Sequence, residues 1–270
     1  MYRLIALDMD GTVLNPSHEI SPRNKQAIAQ ARDKGIYVVL ASGRPPEGLA
    51  NYLAELNMNT ERDFVLPYNG GQVKHIQTGN IIRSYALSGE DAKALAGLAR
   101  DLNLNIHAFS EQHGLITPNS NQYTDLEGRI NGLEIKVMPF DALSDDDVIQ
   151  KVMFVDDESI LSPAIEELPA ELYEQFTVVR SAPFFLEILN KQTNKGLGVA
   201  ALAEYLGIAQ EEVICIGDAG NDAHMIEYAG LGIAMSNGSE EIKQLADYIT
   251  ASNAEDGVAL AIEKFTLNHV

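Results

Sequence analysis

Apolar runs and helix-like patterns alternate along the first forty residues. Arg3–Leu7 and Ile36–Ala41 are short, almost uninterrupted apolar runs, as expected for strands that are covered on both faces. Between them, Ser21-Pro22 supplies a helix cap with proline at the first helical position, and Gly35 provides a C-terminal stop. This order predicts a strand–helix–strand unit within a parallel sheet.

The same alternation returns after residue 195. Its pattern predicts helices over 196–205, 223–228, 240–246 and 258–266, and strands over 213–216, 231–235 and 248–250. Short strands that alternate with helices are typical of a doubly wound α/β core built on a mainly parallel sheet. A chain of 270 residues is long enough for such a core and a second domain.

The middle of the chain has a different character. A hairpin is predicted around 77–80. Beyond it the patterns predict helices over 90–102 and 160–176, with strands over 105–109, 115–117, 151–155 and 177–180. We therefore expect an α/β core formed by residues 1–84 and 189–270, interrupted by an inserted α+β domain over 85–188.

Net charge narrows the range of partners. The chain has 19 Lys and Arg against 39 Asp and Glu, a net charge of −20, and residues 85–188 account for −13 of it. Binding to nucleic acid or to an anionic membrane requires a basic surface, so we expect neither. A lone cysteine, Cys215, excludes an internal disulfide framework, and no apolar run suggests a signal peptide or a membrane span. These features favour a soluble cytoplasmic protein.

Two carboxylates follow the first predicted strand. In an extended segment residues i and i+2 point the same way, so Asp8 and Asp10 are expected to emerge side by side from the sheet. In open α/β sheets this edge binds ligands, and two neighbouring carboxylates favour a hard cation such as Mg²⁺. An Asp-Gly turn without a ligand is the alternative at this position.

Three further motifs are predicted to lie at the same edge. Ser42-Gly43-Arg44 follows the second strand, and its hydroxyl and glycine N–H suit a phosphate. Lys195 precedes a helix, where anions are favoured, and Gly217–Asp222 adds two carboxylates and an amide after a later strand. Each motif alone could be a turn or a surface lysine, but their shared location indicates a site.

In this order the motifs resemble those of the haloacid dehalogenase superfamily, and the long insert resembles subclass IIB, the Cof-type phosphatases. Three further segments, 67–71, 181–189 and 226–230, are similar to a sugar phosphatase of that subclass. The resemblance implies an α/β cap over 85–188 and Mg²⁺-dependent hydrolysis of small phosphate monoesters, most of all sugar phosphates. The expected partner is a small phosphorylated metabolite, and the expected assembly a monomer or a small homo-oligomer.

The resemblance also implies roles for individual residues. Asp8 would be the nucleophile that forms an aspartyl-phosphate, and Asp10 would protonate the leaving alcohol and then activate water. Asp8, the Asp10 carbonyl and Asp218 would hold Mg²⁺, and Asp222 would orient metal-bound water or Lys195. The phosphate oxygens would be bound by Met9, Ser42, Gly43, Lys195 and Asn221.

Substrate selection is expected to depend on the insert, within residues 87–187. Arg44, Asn69 and Asn194 are candidates near the leaving group. Glu187 could accept hydrogen bonds from sugar hydroxyls, although a structural charge on a strand is an equal alternative.

Two other functions remain open from the residues. Gly196-Leu197-Gly198-Val199-Ala200-Ala201 matches a dinucleotide-binding fingerprint, with Asp218 about twenty residues further on, which would suit a NAD-dependent oxidoreductase. However, polar residues separate its first glycine from any apolar strand. A non-enzymatic phospho-receiver uses a similar set of groups around Mg²⁺, but is a single domain of roughly half this length.

Overall fold

The computed structural model describes residues 1–267 and divides them into two compact units. The core unit comprises Met1–Ser84 together with the described residues from Asn194 onward, and the inserted unit comprises Tyr85–Thr193. The second junction lies five residues beyond the expected boundary at 188/189, because Phe185–Asn190 is one continuous strand that pairs within the inserted unit.

Residues 1–267 form fifteen strands. Those of the core unit before the insertion are β1 (Leu4–Asp8), β2 (Tyr37–Ala41), β3 (Phe64–Leu66), β4 (Gln72–His75) and β5 (Ile81–Ser84). The inserted unit contains β6 (Leu87–Ser88), β7 (Asn105–Ser110), β8 (Gly114–Thr117), β9 (Ile135–Val137), β10 (Val148–Val155), β11 (Phe176–Ala182) and β12 (Phe185–Asn190). After the insertion come β13 (Val213–Gly217), β14 (Leu231–Ala234) and β15 (Tyr248–Ile249).

The same residues form ten α-helices. The core unit has α1 (Pro22–Asp33), α2 (Pro46–Glu55), α7 (Lys195–Leu206), α8 (Ala223–Tyr228), α9 (Glu240–Leu245) and α10 (Gly257–Ile262), and the inserted unit has α3 (Gly89–Asp101), α4 (Gln122–Asn131), α5 (Glu158–Glu166) and α6 (Ala170–Gln175). A π-helical turn, Glu263–Leu267, follows α10, where one helix was predicted over 258–266.

The core sheet confirms the predicted doubly wound fold. Its strand order is β15-β14-β13-β1-β2-β3-β4-β5. Neighbouring strands are parallel from β15 to β3, and the pairs β3-β4 and β4-β5 are antiparallel. All five residues of β1 are buried. Ile5 and Leu7 pack on the side of α1 and α10, whereas Leu4 and Ala6 pack on the side of α7. Because both faces are covered, the strand is apolar from Leu4 to Leu7 rather than alternating, and the only polar residue is Asp8 at its end.

Local capping explains where the first helix begins and ends. The Ser21 hydroxyl accepts a hydrogen bond from the Asn24 N–H at 3.1 Å, and Pro22 occupies the first turn. The chain then turns at Gly35, whose φ of +85° favours glycine. The predicted strand–helix–strand unit is therefore confirmed.

The inserted unit is built on its own sheet, in the order β11-β12-β10-β7-β8-β9 with β6 beside β10. Its pairs are antiparallel apart from β8 with β9. The prediction of a single helix over 160–176 was wrong. The segment contains two helices: α5 ends at Glu166 and α6 begins at Ala170. The break lies at Leu168, because the proline at 169 disfavours helical backbone at the residue before it. Helix α4 was not predicted. Among residues 1–267, no helix is both long and apolar enough to cross a membrane.

Candidate active site

Three loops meet at the carboxyl edge of the core sheet. Strand β1 lies between β2 and β13, with Asp8 beside Ala41 and Leu7 beside Ile216. The loops after these strands begin at Ser42 and Asp218, so both lie next to the end of β1. The strand order runs outward from β1 on both sides, to β2 and β3 on one and to β13, β14 and β15 on the other, and open α/β sheets bind their ligands at such a point.

A fully buried lysine joins two of these loops. Lys195 opens α7, and its Nζ lies 2.5 Å from Asp8 Oδ1 and 2.6 Å from Asp222 Oδ1. Burial lowers the pKa of Lys195, but the carboxylates of Asp222 and Asp8 outweigh it, so that the pKa is raised overall. The lysine is therefore a permanent buried cation.

The single positive charge of Lys195 does not balance the negative charge of the carboxylates around it. Burial and the Asp222 charge raise the pKa of Asp8 well above its usual value, although Lys195 opposes both effects. Carboxylate oxygens of Asp8, Asp218 and Asp222 all lie within 4.8 Å of one another. An additional divalent cation would relieve this repulsion, and oxygen donors suit Mg²⁺. The donor set thus fits the metal that the sequence predicts.

Asp222 has little capacity left to bind a metal. Its Oδ1 accepts from Lys195, and its Oδ2 accepts from the backbone N–H groups of Asp218 and Ala219 at 2.9 and 3.0 Å. Both oxygens therefore hold protein groups in place. This geometry suits a residue that positions Lys195 and the start of the Asp218 loop.

Thr12 is a site residue to which the sequence reasoning gave no role. Its hydroxyl donates to Asp218 Oδ1 at 2.8 Å, and the side chain is completely buried. Gly11, with φ of +90°, makes room for this carboxylate, since a Cβ there would lie 2.4 Å from Asp218 Oδ2. The Asp-Gly-Thr sequence after β1 was the available signal.

Asp10 lies just beyond the end of β1, so the strand geometry behind the expected pairing with Asp8 does not extend to it. Strand β1 ends at Asp8, and the chain turns at the buried Met9, so the alternation of extended backbone no longer applies. The Asp10 carboxylate instead accepts two hydrogen bonds from Arg44, from Nε at 2.9 Å and Nη2 at 2.6 Å. Arg44 therefore contacts the predicted acid–base residue.

The predicted phosphate-binding residues after β2 and β13 are brought together. Ser42 is buried, and its Oγ accepts from the Arg44 N–H at 3.2 Å. Asn69 donates its backbone N–H to the Ser42 carbonyl at 2.8 Å, and its Oδ1 accepts from Asn221 Nδ2 at 3.0 Å. The Asn69 amide also lies against Gly43.

The two other substrate candidates have structural partners. Asn194 caps α7, because its Oδ1 accepts from the Leu197 N–H at 2.8 Å. Glu187 lies on β12 of the inserted unit, is buried, and forms an ion pair with Lys151 at 3.3 Å. The alternative of a structural charge on a strand therefore has direct support for Glu187.

The glycines of the dinucleotide-like fingerprint have a packing role. A Cβ at Gly196 would lie 2.4 Å from the His224 carbonyl oxygen, and one at Gly198 would lie 2.9 Å from the Cα of Gly70. Both glycines are in α7 rather than in a loop after a strand. They allow the helix to approach neighbouring backbone, which accounts for them without a nucleotide.

Comparisons with known proteins agree with one another. A family model for haloacid dehalogenase-like hydrolases matches residues 5–262. The provisionally named phosphatase YxeH of Bacillus subtilis is 42% identical over 99% of this chain and 99% of its own. The 5-amino-6-(5-phospho-D-ribitylamino)uracil phosphatase YcsE of Bacillus subtilis is 32% identical over 98% and 96%. The solved structure of BT4131, a subclass IIB sugar phosphatase of the haloacid dehalogenase superfamily, aligns with a TM-score of 0.80 at 25% identity, over 97% of this chain and 98% of that one.

Proposed function

This chain belongs to the haloacid dehalogenase-like hydrolases, in the Cof-type subclass IIB, and from that membership we propose that it hydrolyses small phosphate monoesters, sugar phosphates above all, through an aspartyl-phosphate. Because the chain belongs to this family and is similar to proteins named as phosphatases, it is a phosphatase. The observation that carries the mechanism is the buried Asp8 carboxylate at the end of the central strand, between Lys195 and Asp218.

Asp8 would attack phosphorus in line with the leaving oxygen. Its burial removes competing water, and Lys195 fixes one carboxylate oxygen so that the other is available. The P–O bond to the alcohol breaks as the bond to Asp8 forms, and Asp10 gives its proton to the leaving oxygen. To do so, Asp10 must release at least part of its contact with Arg44.

Hydrolysis of the aspartyl-phosphate would complete the cycle. Asp10, now a carboxylate, would take a proton from water as the water attacks phosphorus, and the Asp8 carboxylate would be regenerated. Phosphoryl transfer requires mainly positioning and positive charge around the phosphate oxygens. Ser42, Lys195 and Asn221 are the side chains proposed to supply them.

The residues present fit a magnesium ion. Asp8, Asp218 and the carbonyl of Asp10 would hold it, and the bound ion would supply positive charge that offsets the acidic cluster and the phosphate. Asp222 would keep its positioning role. Without a divalent cation, the neighbouring carboxylates would repel an anionic substrate.

The two units would have different roles in the reaction. The core unit contains the proposed chemical groups, and we assign residues 85–188, most of the inserted unit, as the cap that selects the leaving group. Sugar phosphates are supported by BT4131, a sugar phosphatase, and by YcsE, whose substrate carries its phosphate on a ribityl chain. The net charge of −13 over 85–188 suits neutral hydroxyls better than a second phosphate.

The test is steady-state release of phosphate from p-nitrophenyl phosphate with Mg²⁺. Asp8→Asn keeps the shape of the side chain and removes the charge of the nucleophile, so turnover should fall at least about a thousandfold while circular dichroism stays unchanged. Asp33→Asn, the same substitution at an exposed position of α1, should retain full turnover.

Several outcomes would contradict the proposal. Near-normal turnover by Asp8→Asn would exclude this nucleophile, and full activity in EDTA would exclude the metal. Release of one phosphate per chain would indicate a receiver, and a thermal shift with NAD but none with Mg²⁺ and a phosphate analogue would favour an oxidoreductase. A kinetic panel of phosphorylated sugars, sugar acids, nucleotides and pyridoxal phosphate then tests the substrate class.

A further inference from the structure

The short segment after β3 has an unusual backbone. Tyr68, Asn69 and Gly70 are consecutive residues with φ of +54°, +55° and +79°. Left-handed backbone is costly for residues with a Cβ, and Tyr68 and Asn69 are both buried. Strained residues of this kind persist only where the surrounding structure holds them, and they cluster at functional sites.

Backbone contacts hold this segment against two elements of the site. The Tyr68 N–H donates to the Arg44 carbonyl at 3.0 Å, and the Asn69 N–H donates to the Ser42 carbonyl at 2.8 Å. On the other side, a Cβ at Gly70 would lie 2.7 Å from the Asn194 carbonyl oxygen, directly before Lys195. The segment thus packs between the loop after β2 and the start of α7.

The Asn69 side chain extends the same connection to a third loop. Its Oδ1 accepts from Asn221 Nδ2, in the loop after β13. Its amide lies 3.2 to 3.3 Å from the place where a Cβ on Gly43 would stand. One amide therefore contacts two of the groups proposed to bind phosphate, on loops that are far apart in sequence.

We propose that Asn69 is a positioning residue for phosphate binding, which fixes the Asn221 amide and the Gly43 peptide relative to each other. This role rests on the proposed function, and it differs from the expected contact with the leaving group. The hydrogen bond to Asn69 selects one orientation of the Asn221 amide and leaves the second N–H of Nδ2 for the phosphate. Left-handed backbone at residue 69 is what brings the side chain to this position.

The Asn69→Gly variant separates this role from a structural one. Glycine adopts φ of +55° without strain, so the melting temperature should stay equal or rise, while the contact with Asn221 is lost. We expect KM and the inhibition constant for inorganic phosphate to rise about five- to tenfold, as for one lost positioning hydrogen bond. Asn57→Gly is the matched control, because Asn57 is exposed and has φ of +54°; its kinetic constants should not change.

A double-mutant cycle with Asn221→Ala completes the test. If Asn69 acts through Asn221, the double variant Asn69→Gly with Asn221→Ala should bind phosphate little worse than Asn221→Ala alone. Additive losses would overturn the positioning role, as would normal KM and phosphate inhibition in Asn69→Gly.

The outcome is distinguishable from failure of the proposed function. Turnover by the wild type together with an unaffected Asn69→Gly variant overturns only the positioning role. Absence of wild-type turnover overturns the phosphatase mechanism. In that event, calorimetric titration of both proteins with inorganic phosphate and Mg²⁺ still decides the role of Asn69: equal affinities overturn it, and weaker binding by the variant supports it.

Discussion

His107, a buried histidine of the inserted unit, should make the protein sensitive to acid. Burial, and secondarily the charge of Lys151, lowers the pKa of His107 from 6.5 to about 3. Its neutral ring is fully used: Asn121 donates to the Thr124 hydroxyl at 2.9 Å, so that hydroxyl can donate to His107 Nδ1 at 3.0 Å. The remaining N–H, on Nε2, then faces the Met153 sulfur at 3.2 Å. A second ring proton would break this chain.

The sign and size of the effect follow from proton linkage. Because the pKa of His107 is lower in the folded state, the unfolded chain binds the proton first as the pH falls. The stabilisation is complete above the unfolded pKa of 6.5 and is lost progressively down to about pH 3. Between about pH 7.5 and pH 4.5, protonation of this histidine in the unfolded chain should lower the unfolding free energy by about 2–3 kcal/mol.

The assay compares His107→Gln with the wild type in urea titrations at these two pH values. Hydrogen exchange at the amides of β7 assigns the transition to the inserted unit. The variant should be less stable than the wild type at about pH 7.5, since a buried ring is lost, and the difference should shrink by about 2–3 kcal/mol at pH 4.5. His18→Gln, at a side chain that is 74% exposed, is the control and should follow the wild type.

The result that would refute this reasoning is a parallel loss of stability. If wild type and His107→Gln lose the same unfolding free energy within about 1 kcal/mol, then His107 does not remain neutral in the folded protein. Its hydrogen bonds with Thr124 and Met153 would then need another explanation.

Two further predictions concern the core unit. Lys195→Met should lower the unfolding free energy in EDTA by about 3–5 kcal/mol, because two buried carboxylates lose their counter-charge. This loss should shrink at lower pH, because the Asp8 carboxyl, whose pKa is raised by burial, then takes up a proton. A loss below about 1 kcal/mol in urea titrations would refute the charged triad. Gly11→Ala should abolish turnover, since its Cβ would displace Asp218, and should weaken Mg²⁺ binding measured by calorimetry. Gly79→Ala is the control, because Gly79 has φ of +74° and no atom lies within 4 Å of the new Cβ. This variant should remain active and lose only the roughly 1–2 kcal/mol of unfolding free energy that left-handed backbone costs. Equal behaviour of the two variants would contradict the steric argument.

Local pattern was sufficient for the elements that build the core. The apolar runs that became β1 and β2 are continuous because both faces of the sheet are covered, and Ser21-Pro22 caps α1 through contacts within four residues. Interactions between residues this close in sequence can be predicted from the local sequence alone. The position of Asp8, Ser42 and Asp218 at strand ends could be predicted for the same reason.

Pattern was less informative in the inserted unit. A helical period ran through 160–176, yet the chain forms two helices there, since proline at 169 overrides the apolar spacing. For Glu187, the sequence favoured neither of two roles, contact with a sugar hydroxyl or a structural charge on a strand. Its partner, Lys151, is on a neighbouring strand, and strand order is not visible in a local pattern.

The sequence by itself thus determined the doubly wound core, the insertion and the edge at which the chemical groups gather. Only the tertiary structure decided which of those groups touch. Asp10 turns to Arg44, and Asn69 reaches Asn221 across 152 positions, because sheet order and left-handed backbone bring distant loops together. Periodicity encodes which face of an element is buried; the partner of a polar side chain depends on which distant segment the packed fold places within hydrogen-bonding range.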